Sequence, residues 1–135
     1  MLQFYFLSIV LNALAGYILF AGDNAVELKC GFSLKDETAK LLVGILSLIT
    51  GVMKILSVIE GDVPVIGDLI PAAAGLLCGF VLLVEFYKSR TSMDDSEEET
   101  AGKFQKFLIA NKKVLGATAI ITAFLHFIFP RVMLL

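Results

Sequence analysis

Four long apolar segments dominate the chain and leave few architectures open to it. They cover residues 2–21, 38–59, 69–87 and 113–129, and each approaches the roughly 20 residues that a transmembrane helix needs. Hydrophobic residues make up 58% of the 135 positions and charged residues only 18%, whereas soluble domains have about half and a quarter. The sequence therefore predicts an all-α polytopic membrane protein, with four transmembrane helices packed as one small bundle in a single membrane domain, 1–135.

Composition also argues against several classes of function. The net charge is only −2, so no general attraction to nucleic acid is expected. The two cysteines, Cys30 and Cys78, form no CxxC pair, which argues against a zinc site or a disulfide framework. The single histidine, His126, shares its segment with no carboxylate. We predict neither a metal site nor a cofactor.

The connection between the second and third segments, residues 60–71, concentrates glycine, proline and acidic residues. Pro64 and Pro71 lack amide donors, and Gly61 and Gly67 loosen the backbone. A continuous helix is not expected here. We predict a tight connection between two helices.

Lysine and arginine counts predict the orientation of the bundle. Nine of them lie in or beside the loops 22–37 and 88–113, against two on the opposite side. By the positive-inside rule these two loops are cytoplasmic, and both termini and the 60–71 connection face outward in a cell membrane. No basic region precedes the first segment, so we expect a retained helix rather than a signal peptide.

Each apolar segment carries one face of small residues at helical spacing. Small side chains let helix backbones approach closely in lipid. The predicted helix-packing residues are Gly44, Ser47, Gly51, Ala72, Gly75, Gly79, Gly116, Ala119 and Ala123.

The same faces carry most of the polar side chains found within or beside the segments. With helices that alternate in direction, Ser8, Lys54, Asp68 and His126 fall in the outer half of the bundle, and Asn12 lies nearer the middle. Asp62 belongs to the connection above them. We predict a polar cluster formed by Ser8, Asn12, Lys54, Asp62, Asp68 and His126.

Several explanations of this cluster stay open at the sequence level. Buried charges in a bilayer usually pair, face a cavity or serve a function. Lys54 and Asp68 are the natural pair for interhelical bonding, while a polar cavity open to the outside is the alternative, and Lys54 can also extend outward to the interface. Asp62 and Asp68 suit either a cation or turn and cap chemistry, and a proton relay through His126 and Asp68 is conceivable.

The polar segment 88–112 divides into an acidic run at 91–100 and a part in which Phe104, Phe107 and Leu108 share a helical face beside lysines. Ser96 and Glu99 have capping-box spacing. The second part predicts either a short interfacial helix or an extension of the fourth helix. The two differ in a bend near Asn111. Glu85, one turn before this segment, is expected to pair with Lys88 or extend to the interface.

No nucleotide-binding loop, zinc-protease or hydrolase motif is present in the sequence. We therefore expect a non-enzymatic membrane protein, an accessory or assembly subunit or a homo-oligomer. Its expected partners are the lipid bilayer and either another copy or another membrane protein. The alternative is a small channel or carrier whose outward polar cavity lies at the 60–71 loop.

Overall fold

The structure, a computed structural model, describes residues 2–24, 33–56, 69–90 and 102–129. Every regular element in these residues is helical, which confirms the all-α prediction for them. The described residues form five α-helices: α1 (Leu2–Ala21), α2 (Glu37–Leu56), α3 (Leu69–Arg90), α4 (Gly102–Ala110) and α5 (Lys112–Ile128).

In the described residues the four predicted apolar segments correspond to long helices, and one further short helix is present. The fourth apolar segment is α5, and α4 precedes it as a separate helix, with a bend of 70° between the two. The bend decides between the two alternatives left open for this region, in favour of a separate short helix over an extension of the fourth helix. α3 continues to Arg90, beyond its expected end at residue 87, and α4 occupies most of the second part of the polar segment, where both alternatives expected a helix.

Local chemistry explains several helix ends. Gly22 follows α1 with a φ of +54°, the left-handed conformation that commonly closes a helix and that glycine adopts without a Cβ penalty. Pro71 lies in the first turn of α3, where its missing amide costs no intrahelical bond. Lys88 and Arg90 in the last turn of α3 complement the negative end of the helix dipole.

The four long helices run alternately up and down in two tight pairs. α2 packs chiefly on α3 and α1 chiefly on α5, while α1 and α3 also contact each other. Within the described residues, α2 and α5 make no backbone contact. The bundle is therefore a flattened one, with α1 and α3 on its short diagonal and α2 and α5 at the far corners.

Glycines allow the closest approach within both pairs. A Cβ on Gly116 of α5 would lie 2.5 Å from the carbonyl oxygen of Gly16 in α1. Between α2 and α3, a Cβ on Gly79 would lie 2.8 Å from the carbonyl oxygen of Gly44. All nine residues expected to mediate helix packing are buried in the structure.

The outer surface of the bundle is strongly apolar. All five helices carry large apolar side chains that are at least 40% exposed, among them Phe6, Ile49, Phe80, Phe107 and Phe124. Within the described residues, α1, α2 and α3 are each long and apolar enough to cross a membrane, and α4 with α5 would make a fourth crossing if the bent pair is one span.

Candidate functional site: a polar half of the helix bundle

Among the described residues, buried polar side chains occupy one half of the bundle, the half that contains the start of α1 and the ends of α2 and α5. We call this region the polar half. Its buried polar members in the described residues are Ser8, Asn12, Ser47, Thr50, Lys54, Thr122 and His126. The opposite half is filled by an apolar cluster that includes Ile18, Leu19, Val81 and Leu82. The interior therefore changes from polar to apolar along the bundle axis.

Lys54 and His126 form the centre of the polar half. The Nζ atom of Lys54 lies 2.8 Å from Nε2 of His126, and the two residues are 6% and 1% exposed. A lysine ammonium only donates hydrogen bonds. With Lys54 protonated, Nε2 of His126 is the acceptor and the ring proton lies on Nδ1. The bond joins α2 to α5, the two helices that make no backbone contact.

Tyr5 of α1 completes this contact. Its hydroxyl donates a 2.6 Å hydrogen bond to the backbone carbonyl of His126, one of the last carbonyls of α5, which lack partners within the helix. The Tyr5 and His126 rings lie 4.6 Å apart between centroids. Nζ of Lys54 lies 5.6 Å from the Tyr5 ring centroid, within the range of a cation–π contact.

Asn12 forms the second polar contact, closer to the middle of the bundle. Its Nδ2 donates a 2.9 Å hydrogen bond to the carbonyl oxygen of Pro71 in α3. A Cβ on Gly75 would lie only 2.8 Å from Oδ1 of Asn12, so glycine at this position makes room for the amide. The Ser47 hydroxyl is also buried, and no hydrogen-bond partner for it is found among the described residues.

The structure therefore brings together only part of the predicted cluster. Lys54 and His126 are in direct contact, and Ser8 and Asn12 are buried along the same half of α1. Asp62 and Asp68 lie outside the described residues, as do Cys30 and the Ser96–Glu99 pair, so the Lys54–Asp68 pairing stays a prediction. Within the described ranges, no group of three metal-ligating side chains is present.

Sequence reasoning missed three members of the polar half, Tyr5, Thr50 and Thr122. Each had a signal in helical spacing: Tyr5 precedes Ser8 by three residues, and the two threonines each precede Lys54 or His126 by four. Residues three or four apart lie on one helix face. These three residues were missed because tyrosine and threonine are less polar than the lysine, aspartate and histidine residues on which the prediction was mainly based.

The opposite end of the bundle carries the charged contacts. Glu85 of α3 lies 2.6 Å from Nζ of Lys112 in α5 and 3.7 Å from Nζ of Lys40 in α2. Glu85 is expected from the sequence to pair with Lys88 or to extend to the interface; in the structure its carboxylate contacts lysines of two neighbouring helices, because α3 lies between α2 and α5. Arg90 pairs with Glu37 at 3.0 Å nearby.

An apolar groove runs along the outside of α3 and α5. Its volume is about 190 Å³, and it is lined in part by small side chains, with Ile70, Ala73, Ala74, Leu77, Cys78, Leu115, Thr118 and Thr122 around it. The Cys78 thiol and the Thr118 hydroxyl both bond to backbone carbonyls of α5. The surface that the groove offers is therefore mainly apolar.

Comparison with known proteins places the chain in a family without assigning it a chemistry. The chain is 35% identical over 137 residues to an uncharacterised protein of Treponema pallidum (strain Nichols), and the match covers all of both chains. A family model without a functional description matches residues 1–126. No solved structure matches the chain. The chain therefore belongs to the family that this model represents, with the full-length Treponema pallidum protein as a relative.

Proposed function

We propose that the protein is a non-enzymatic integral membrane protein with four spans, acting as an assembly subunit or a homo-oligomer. The observation that carries the membrane part is the inverted distribution of side chains. Phe124 is 63% exposed and Ile49 53% exposed, whereas Lys54 and His126 are buried. In water this arrangement would leave a large apolar surface exposed, whereas in a bilayer that surface meets lipid.

Helix lengths support four spans. α1 and α2 have 20 residues and α3 has 22, which corresponds to about 30–33 Å and matches the hydrocarbon thickness of a bilayer. α5 has 17 residues, or about 25 Å, and begins at Lys112, whose side chain can reach the headgroup region. The excess of lysine and arginine on loops 22–37 and 88–113 supports a cytoplasmic location for both.

The groove between α3 and α5 supports the assembly role. Ala73 is exposed at its edge, and small side chains of this kind let a second helix approach closely in lipid. The bundle has a mass of 14.7 kDa, and the Lys54–His126 and Asn12–Pro71 contacts occupy its interior. Little room is left for a transport path within a single copy of the chain. A partner helix on the outer groove is the arrangement that uses the available surface.

Two measurements test this proposal in order. Carbonate extraction should leave the protein in the membrane pellet, and its release into the supernatant would refute the membrane assignment. Cross-linking in native membranes should then capture a complex that Ala73→Leu weakens. Ala110→Leu, at an exposed alanine of α4 outside the groove, is the matched control and should leave the complex intact.

A second candidate function is a small channel or carrier with an outward polar cavity. The observation that favours it is the polar half itself, which extends from Lys54 and His126 to Asn12 and Ser47 and then stops at apolar packing. Irregular connections and polar groups near mid-membrane are features of solute sites in transporters.

The double variant Lys54→Met/His126→Leu separates the two functions. A well-packed apolar pair often replaces a buried polar or ionic pair without loss of stability. An assembly subunit should therefore keep its complex and its activity in cells. A carrier should lose flux in reconstituted liposomes while keeping its fold, as measured by size-exclusion chromatography and circular dichroism.

A further inference from the structure

Helix α4 presents an amphipathic surface on which two large apolar side chains are mostly exposed. Phe104 and Phe107 are each 63% exposed. Leu108, on the same side of the helix, is only 3% exposed and belongs to the apolar core cluster. Leu108 therefore anchors α4 to the bundle, while the two phenylalanines project from it.

The direction of α4 suits a membrane surface. α4 is bent by 70° from α5, so if α5 stands near the membrane normal, α4 lies close to the membrane plane. Glu85 and Lys112, which pair beside the start of α5, mark the polar boundary at this end. An interfacial helix lies at this depth, with its apolar side chains entering the boundary between headgroups and acyl chains.

The charge on α4 indicates which lipids it contacts. Lys103 and Lys106 are exposed on the flank beside the phenylalanines, and Lys113 is exposed just after the bend. Basic side chains next to inserted aromatic residues are attracted to acidic headgroups, with each lysine contributing about 1 kcal/mol, or about fivefold in binding. The five carboxylates at 91–100 oppose this attraction.

We propose that α4 docks on the cytoplasmic bilayer surface, with Phe104 and Phe107 inserted among the lipids and Lys103 and Lys106 on acidic phospholipid headgroups. This inference rests on the proposed membrane insertion and adds to it a docking helix and a lipid class. Insertion and docking are separable, because α1, α2 and α3 are each long and apolar enough to cross a membrane without α4.

The chain contains no tryptophan, so a single substituted tryptophan reports one position without background. Full-length Phe107→Trp is reconstituted into phosphatidylcholine vesicles with or without phosphatidylglycerol, and with lipids brominated at shallow or deep positions. Phe124→Trp is the matched control, because Phe124 lies on α5 and has the same 63% exposure as Phe107.

Docking predicts a blue-shifted emission for Phe107→Trp and strongest quenching by shallow bromines, both increased by phosphatidylglycerol. Adding Lys103→Gln and Lys106→Gln should remove the phosphatidylglycerol effect, an expected loss of about fivefold per lysine at low salt. Lys35→Gln, at an exposed lysine outside α4, should leave the phosphatidylglycerol effect unchanged. Phe104→Trp should reproduce the result for Phe107→Trp.

If Phe107→Trp shows water-like emission and no quenching while Phe124→Trp is quenched, docking is overturned and membrane insertion stands. Loss of quenching at both positions would overturn the proposed membrane assignment and docking with it. Quenching at position 107 that depends neither on phosphatidylglycerol nor on the two lysines would overturn the assignment to acidic lipids.

Discussion

Tyr5, Lys54 and His126 connect three helices through side chains of different chemistry. Lys54 and His126 join α2 to α5 at 2.8 Å, and Tyr5 joins α1 to the α5 backbone at 2.6 Å. An unsatisfied polar group in such an interior costs more than a satisfied one contributes. The contacts therefore specify which ends of the helices meet more than they add to overall stability.

Tyr5→Phe tests the hydroxyl alone, because the ring and its packing on His126 are kept. We expect the free energy of unfolding to fall by about 1 kcal/mol, the net contribution of a typical hydrogen bond. Equilibrium unfolding in mixed detergent micelles measures it. Tyr87→Phe, at a tyrosine of α3 that is 53% exposed, is the matched control. An unchanged stability for Tyr5→Phe would show that the hydroxyl bond to the α5 carbonyl contributes nothing.

A double-mutant cycle tests the coupling between Lys54 and His126. His126→Leu should destabilise the protein by about 1–3 kcal/mol, because it removes an acceptor from a buried donor. Lys54→Met added to His126→Leu should recover part of that loss, with a coupling energy of about 1–3 kcal/mol. Additive effects of the two substitutions, measured by the same unfolding assay, would contradict the direct bond.

At the scale of elements, glycine contacts govern how the helices pair. The Gly16–Gly116 contact holds α1 against α5, and the Gly44–Gly79 contact holds α2 against α3. These helices approach so closely that a single methyl group would meet a backbone oxygen. The charged contacts of Glu85 at one end and the Lys54–His126 bond at the other then link the two pairs.

The stability lost in three glycine-to-alanine substitutions should depend on the space available for a methyl group at each site. Gly116→Ala places Cβ 2.5 Å from a backbone oxygen, Gly79→Ala 2.8 Å from one, and Gly44→Ala no closer than 3.2 Å to any neighbour. We expect Gly116→Ala to cost about 1–3 kcal/mol through overpacking. Gly44→Ala should be close to neutral, because alanine favours a helix over glycine by about 1 kcal/mol.

Thermal unfolding in a single detergent ranks these variants. The expected order of destabilisation is Gly116→Ala, then Gly79→Ala, then Gly44→Ala. A reversed order would mean that the α2–α3 contact is tighter than the α1–α5 contact, which contradicts the observed approach distances.

At the scale of the whole molecule, the two ends of the bundle differ, because polar side chains lie in one half of the interior and apolar side chains fill the other. The polar half lies at the end that the positive-inside rule assigns to the outside, and the Lys40–Glu85–Lys112 contacts lie at the end assigned to the cytoplasm. In the four-span arrangement that we propose, the end with Lys40 and Lys112 is cytoplasmic and the polar half faces outward.

Cysteine labelling in intact cells tests this orientation. In a background with Cys30→Ser and Cys78→Ala, a membrane-impermeant maleimide should label Phe129→Cys, at an exposed position just after α5. Ser89→Cys, at an exposed position near the end of α3, should react only after permeabilisation. The opposite pattern would invert the topology, and equal labelling at both positions would indicate dual orientation.

The sequence alone determined the positions of the long helices, their small-residue faces and the location of Lys54 and His126 near the ends of their helices. Helical periodicity and hydrophobic segment length are local properties, and they can be read along the chain. The bend near Asn111 was one of two alternatives that local pattern left equal, because a helix break depends on what each side packs against.

Only the tertiary structure decided which helices are neighbours and which polar atoms meet. Nothing in the periodicity of α2 or α5 indicates that Lys54 reaches His126 between helices without backbone contact, or that Asn12 bonds to the carbonyl of Pro71. Those partners follow from the close Gly16–Gly116 and Gly44–Gly79 approaches, which set the distances between helix axes. Such steric fit arises between segments far apart in the chain, and a one-dimensional pattern does not contain it.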